Sequence, residues 1–399
     1  MRYFLPQMVT SVLVVGFVLP MAAQENSTSV VSGNKVADLT QKALRGDRAA
    51  QTRIGVALAK GDGVPKNERE AIRWFTQAAV EGDSQAEYSL GVMLYRGAGG
   101  QRNIPEAVVW FNKAANAGLP EAQFNAACFY KSGVGVPQNL GRALALFREA
   151  AKQGFAPAQN NLGKMYARGE GVVRDPVLAV NLFRKSAEQG DVVGAFDLAA
   201  MYWNGAGVQQ DFTKAFYWFQ LAAQKQHVGA QRMLGLAYRD GRGVPQDYLV
   251  ASFWLHKAAE GGDADAQNKL GILYLKGQGL AEDEAQASFW FAKAAGQDDA
   301  DAQANLASLY EAGRGTPLDL IQAYKWYLLS LRDGETDRRD RIRELGKMMG
   351  DRDVTEAERM AQVWRDAHHE NKTKGFESAQ KGTQETRRCS ECVLLPSFP

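Results

Sequence analysis

The chain is poor in the residues from which reactive or covalently stapled sites are built. It has only three cysteines, Cys128, Cys389 and Cys392, in 399 residues, too few to hold a chain of this length by disulfides. It has four histidines, two of them adjacent near the C-terminus (His368, His369), so a His-centred hydrolase is hard to assemble. An excess of one charge is missing as well. Lys plus Arg number 47 against 45 Asp plus Glu, a formal net charge of +2, which argues against a nucleic-acid partner held by bulk charge. Long apolar runs are absent beyond one stretch of about Met8 to Leu19, short of the ~20 residues of a comfortable membrane span. With 45% hydrophobic and 23% charged residues, the composition is that of a globular protein, neither wholly disordered nor a multi-span membrane protein.

The apolar stretch follows a basic start, Met1-Arg2, and is closed by Pro20-Met21-Ala22-Ala23-Gln24. Charged start, short apolar core and small residues at a cut are the layout of a secretory signal peptide, here residues 1–23. Met21 stands where alanine is preferred, which leaves an uncleaved anchor as the alternative. No cysteine sits at the cut, so nothing points to a lipoprotein. The expectation is an exported chain, periplasmic in a Gram-negative source and otherwise secreted, with no stable membrane insertion once the signal is cut. Residues 24–36 read as a polar linker.

A period of 36 residues organises the rest. Gly61, Gly97, Gly133, Gly169, Gly205, Gly241, Gly277 and Gly313 form one series, and the residues two further on, from Gly63 to Gly315, form a second. Four positions after the second glycine stand Asn67, Asn103, Asn139, Asp175, Asp211, Asp247, Asp283 and Asp319. Within a unit, Ala86, Leu90, Gly91 and Leu94 share one face of a helix. Gly97 ends that helix in the left-handed conformation. The Asn/Asp series caps a second helix by accepting an orphan N–H, and Ala107, Trp110, Phe111, Ala114 and Ala115 form its apolar stripe. Gly82, Gly118, Gly154, Gly190, Gly262 and Gly334 stop six of the second helices, with Gln226 and Asp298 in the other two. One such hairpin cannot bury both stripes; stacked neighbours can. Trp74, Trp110, Trp218, Trp254, Trp290 and Trp326 occupy one repeat position and are expected in the core, each contributing on the order of 4–6 kcal/mol gross.

The pattern A-x-x-x-L-G-x-x-Y-x-x-G-x-G-V-x-x-D followed by A-x-x-W-F-x-x-A-A, as in residues 158–187 and 230–259, resembles the Sel-one-like repeat family, 36-residue relatives of tetratricopeptide repeats. The resemblance covers about 285 residues. It implies an all-α, right-handed α-solenoid of eight αα-hairpins over residues 37–334. Members of the family are implied to be adaptors that bind protein segments on a concave surface, and bacterial members often serve envelope assembly, signalling or host contact. A cysteine-rich subfamily carries a disulfide in most repeats, with β-lactam binding proposed for it. This chain has one repeat cysteine, Cys128, so that chemistry is not carried over.

Residues 335–369 read as two capping helices. Ile342 and Leu345 anchor the first, and Thr355 with Glu358 form a capping box for the second, which runs to about His369. Residues 370–399 read as a disordered tail. Each candidate for chemistry has a plainer reading beside it. The eight G-x-G-V loops join helices, not a strand to a helix, so they are turns and not phosphate cradles. Ser32/Lys35 and Ser378/Lys381 have the S-x-x-K spacing of penicillin-interacting enzymes but fall in linkers. His368 and His369 with Cys389 and Cys392 are metal-ligand types without a common frame; the two cysteines are as readily free thiols as a local bridge. Cys128 reads as a small hydrophobe, and His227 and His256 as surface or interhelix polar residues. No catalytic residue, metal or cofactor is therefore expected.

The sharper expectation concerns the position before each Leu-Gly pair. There, Asn125, Asn161, Asp197 and Asn305 could form a ladder on the concave face, since an amide both donates to and accepts from a peptide backbone. The neighbouring aromatics Tyr88, Phe124 and Phe196 either anchor a partner's side chains or pack against the adjacent repeat. The leading expectation is an exported scaffold that binds protein partners. The alternative is an envelope protein that binds peptidoglycan or a small ligand, or a cell-wall enzyme.

Overall fold

The computed structural model describes residues 33–332 and 336–378, with side chains within 36–368. Helix α1 (Gly33–Leu44) comes first. Eight hairpins follow. Their first helices are α2 (Arg48–Lys60), α4 (Ser84–Arg96), α6 (Pro120–Ser132), α8 (Ala156–Arg168), α10 (Val192–Asn204), α12 (Val228–Asp240), α14 (Ala264–Lys276) and α16 (Ala300–Ala312). Their second helices are α3 (Glu68–Val80), α5 (Ile104–Asn116), α7 (Leu140–Lys152), α9 (Pro176–Glu188), α11 (Phe212–Gln224), α13 (Tyr248–Glu260), α15 (Glu284–Ala295) and α17 (Leu320–Ser330). Helices α18 (Thr336–Met348) and α19 (Asp351–Ser378) close the array. Among the described residues there is no strand. Every second helix of the first seven hairpins packs on its own first helix and on the first helix of the next hairpin. The chain is an all-α solenoid.

The punctuation of each hairpin follows from local chemistry. Every glycine of the first series ends its first helix at positive φ. Every residue of the Asn/Asp series accepts the backbone N–H three positions on, satisfying one of the orphan donors of the second helix. The second glycine series does something different. At Gly207, Gly243, Gly279 and Gly315 a Cβ would strike the backbone of Pro176, Phe212, Tyr248 and Glu284, in the opening turn of the preceding second helix. The loop of one repeat lies directly on the backbone of the repeat before it.

The core sits between the two helices of each hairpin. Phe75, Phe111, Phe147 and Phe291 are fully buried, as is Leu255 in the same place. Gly55, Gly91, Gly235 and Gly271 face Phe75, Phe111, Leu255 and Phe291, and their missing Cβ leaves room for the ring or for Leu255. The tryptophan row departs from expectation. Trp110 and Trp290 are buried, but Trp74, Trp218, Trp254 and Trp326 are only half-buried. Each precedes the core residue by one position, about 100° around the helix, so it points between neighbouring second helices. Lysine ammonium groups cover several of the rings, Lys113 at 3.9 Å from the Trp110 centroid and Lys325 at 4.4 Å from that of Trp326.

Buried glutamines tie the hairpins together. Gln123, Gln159, Gln267 and Gln303 each donate from Nε2 to an alanine carbonyl near the end of the preceding second helix, where backbone acceptors are left over.

The ends differ from the reading of the sequence in two ways. Helix α1 begins at Gly33, inside the expected linker, and buries Val36, Leu39 and Ala43 against the first hairpin. Helix α19 starts at Asp351 and runs to Ser378, so Thr355 is inside it: its hydroxyl donates to the Asp351 carbonyl at 2.8 Å, the alternative local bond open to a threonine. Ile342, Leu345, Ala357 and Ala361 are buried as the cap requires. The signal-peptide reading, Gly334 and the tail beyond Ser378 lie outside the described residues.

The two kinds of glycine predict different costs. Gly262 has open space around a Cβ but a φ of +89°, whereas Gly279 combines positive φ with the collision at Tyr248. Gly262→Ala is expected to cost about 1 kcal/mol, the left-handed penalty less the gain in chain stiffness. Gly279→Ala is expected to cost about 3 kcal/mol or more, because backbone must move. Denaturant unfolding followed by circular dichroism measures both; equal midpoints for the two variants would refute the close-approach argument.

Candidate protein-binding surface

On the first helices, two adjacent positions meet across the seam between repeats, the earlier one of a repeat beside the later one of the next. Asn160 Nδ2 donates to Asp197 Oδ2 at 2.7 Å, and Asn305 Nδ2 to Asn268 Oδ1 at 2.9 Å. Asn125 Nδ2 approaches the Tyr88 hydroxyl at 3.4 Å. In each case the partners are 37 residues apart, one repeat plus one residue. Lys164 adds an ammonium 3.2 Å from Asp197 Oδ2. Asn161 alone turns back on its own helix, donating to the Pro157 carbonyl at 3.0 Å. The four expected rungs thus stand in one row, but three of them are engaged sideways with the preceding first helix.

Their exposure divides them. Asn161, Asp197 and Asn305 are partly exposed, whereas Asn125 is fully buried. Among the aromatics, Tyr88 and Phe124 are buried. Tyr88 packs its ring 5.7 Å from Phe111, and Phe124 lies 5.6 Å from both Phe147 and Phe155. Tyr88, Phe124 and Asn125 therefore present no free surface in this structure. Phe196 is partly exposed and stacks on His227 at 4.4 Å. Sequence reasoning missed Asn160 and Asn268, the donors and acceptors that hold the rungs; the signal that finds them is the 37-residue spacing rather than the 36-residue one.

His227 is a helix cap. Its Nδ1 accepts the Ala230 N–H at 3.1 Å, in the place held by Asp83, Asp191, Asp263 and Asp299 in other repeats. Burial holds its pKa below the ordinary value of 6.5. His256 pairs with Glu260 at 3.3 Å on the surface.

A second row, on the second helices, was not read from the sequence. Tyr217, Phe253 and Phe289 follow one another at the repeat period and are 55%, 52% and 47% exposed. Each stands edge-on to the tryptophan that follows it. Lys257 and Lys293 lie over Phe253 and Phe289 at 4.7 and 4.5 Å. Beside Phe253 an apolar hollow of about 600 Å³ opens, lined also by Leu249, Tyr274 and Leu280. Among the described residues no cluster of three metal-ligating side chains occurs, and no helix is long and apolar enough to cross a membrane.

The Sel1 repeat model matches eight consecutive stretches, 48–83, 84–119, 120–155, 156–191, 192–227, 228–263, 264–299 and 300–335. Each begins with a first helix. Among solved structures, a protective antigen with an SLR fold from uropathogenic Escherichia coli strains is similar at 32% identity and TM-score 0.80, over 84% of this chain and 72% of that one. A Sel1 repeat protein from Oxalobacter formigenes is similar at 31% identity and TM-score 0.59, over 77% of this chain and 89% of that one. No curated protein matches the chain.

The His227 cap makes a pH prediction. A lowered folded pKa means that the unfolded chain binds the proton first, so the cap's contribution is complete above about 6.5 and is lost as pH falls below it. Protonation also removes the Nδ1 lone pair that accepts the Ala230 N–H. His227→Asn keeps a cap without a titrating group. The parent is expected to lose more denaturant resistance than His227→Asn between pH 7.5 and 5.5; identical losses would show that His227 does not titrate with folding.

Proposed function

Because the chain belongs to the Sel1 repeat family, whose members are in general protein-interaction scaffolds, we propose that it works as an exported adaptor. It binds an extended segment of another protein along the concave face of its first helices and performs no covalent chemistry. The observation that carries this reading is the row Asn161, Asp197 and Asn305: polar, partly exposed, and in two of three cases held in place by a neighbouring repeat. Side chains already fixed lose less rotamer freedom on binding. Asp197 can accept backbone N–H groups, and the asparagines can donate and accept. Export rests on the expected signal peptide. The description of the Escherichia coli relative as a protective antigen fits a protein displayed outside the cytoplasm, and envelope assembly, signalling or host contact are the settings in which such an adaptor would act.

A second reading is favoured by the exposed aromatic row Tyr217, Phe253 and Phe289. Aromatic faces spaced along a rigid surface suit stacking against the apolar faces of sugar rings, which would make the second-helix side a platform for peptidoglycan.

One experiment separates the two. Residues 24–399 are crosslinked in the source cell envelope and tested against peptidoglycan fragments, beside two triple variants. Asn161→Ala/Asp197→Ala/Asn305→Ala is expected to lose its protein partners, with affinity down tenfold or more, at unchanged helicity. Tyr217→Ala/Phe253→Ala/Phe289→Ala is expected to keep them. If the rung variant keeps its partners while the aromatic variant loses glycan binding, the adaptor reading falls and the platform replaces it.

A further inference from the structure

Repeat proteins allow a comparison that single-copy folds do not: one position seen eight times. At the rung position, Ser89 and Asn125 are buried, whereas Arg53, Asn161, Asp197, Met233, Lys269 and Asn305 are partly or fully exposed. Three residues further along the same helices, Val92 and Cys128 are buried, whereas Val56, Lys164, Ala200, Leu236, Ile272 and Ser308 are not. Both positions are thus closed on α4 and α6 and open on the other first helices. The described helices packed on α4 and α6 are α3, α5 and α7, the arrangement that every inner repeat has, so helix packing alone does not set these two apart.

Cys128 supplies the second observation. It is disulfide-bonded, which overturns its reading as a mere small hydrophobe. The chain's other cysteines are Cys389 and Cys392, both within its last eleven residues. The segment that carries them ends in Val393-Leu394-Leu395-Pro396-Ser397-Phe398-Pro399, apolar where the rest of the tail is polar. Apolar side chains there match Tyr88, Val92 and Phe124. The eleven residues from Ser378 to Cys389 can span roughly 36–40 Å when extended.

We infer that segment 389–399 is the resident occupant of the groove over α4 and α6, tied by a disulfide from Cys128 to Cys389 or Cys392. The bond forms by exchange with a disulfide-bearing oxidant: two protein thiols give one S–S bond, and the oxidant leaves as two thiols. The groove of repeats 2 and 3 is then closed to other proteins, while repeats 4–8 stay open. This inference goes beyond the adaptor reading and rests on only one part of it, export to an oxidising compartment.

The test uses the full exported chain, purified without reductant from an oxidising compartment. After alkylation and tryptic digestion, peptide 114–131, which holds Cys128, is expected to be joined to peptide 389–399, and reduction should part them. Alkylated Cys128 in the unreduced, denatured protein, or a Cys389–Cys392 bridge, would overturn the pairing. A disulfide-linked dimer on a non-reducing gel would assign the groove to a second copy instead. For the docking itself, reduced full-length chain is compared with reduced chain ending at Arg388. Thiol labelling of Cys128 should be at least tenfold faster in the shorter chain; equal rates would mean that something else covers the groove.

Discussion

The step from one hairpin to the next is fixed by backbone lying on backbone. Gly207, Gly243, Gly279 and Gly315 bring their loops against the opening turn of the preceding second helix, at a separation that no side chain permits. Packing of side chains tolerates substitution because neighbours can shift; contact between main chains does not. A uniform step then demands uniform units. The sixteen helices of the eight hairpins are nearly all of one length, and the 36-residue spacing of the glycines holds without an insertion across the whole array. One extra residue in any loop would lift it from its seat and misalign every hairpin beyond it.

That uniform step makes lateral contacts reproducible. Gln123, Gln159, Gln267 and Gln303 find the same class of carbonyl in the preceding helix, and the 37-residue pairs Asn160–Asp197 and Asn268–Asn305 close at hydrogen-bond distance. Such bonds also satisfy polar groups that the stacking would otherwise bury unpaired. Two registers therefore run through the array: an apolar one inside each hairpin, centred on the phenylalanine row, and a polar one between hairpins.

The apolar register and the turns were legible in the sequence, because they recur at one period and each has a single physical cause. Capping by the Asn/Asp series and helix termination at the first glycines follow from local chemistry alone. Four of the six tryptophans were misplaced because periodicity gives the face of a helix only to within a residue: Trp254 and Leu255 share a stripe, yet only Leu255 is fully buried. The row of positions was visible in the period, but its sideways engagement was not, because it joins position 160 to 197, and a reading aligned at 36 compares each residue with its equivalent and never with its neighbour. Helix α1 was missed since it has no second copy. The covering of α4 and α6 was invisible for another reason: Asn125 and Asn161 are the same residue at the same position, and only their surroundings differ.

Where the period constrains, it leaves no room for specificity. The glycines, the core phenylalanines and the caps are spent on holding the frame. What distinguishes one repeat from another is the pair of positions along the first-helix face, where Arg53, Asp197, Met233 and Lys269 stand in equivalent places. Opposite charges are neighbours there: Lys164 beside Asp197, and Arg232 between Asp263 and Asp265. A face of this kind has no strong field of one sign, in keeping with a net charge of +2, and cannot draw a partner from a distance by charge. On the proposed adaptor reading, discrimination comes from the order of donors, acceptors and apolar side chains along a rigid line. A solenoid suits that task because each rung can change without disturbing the step that places the next.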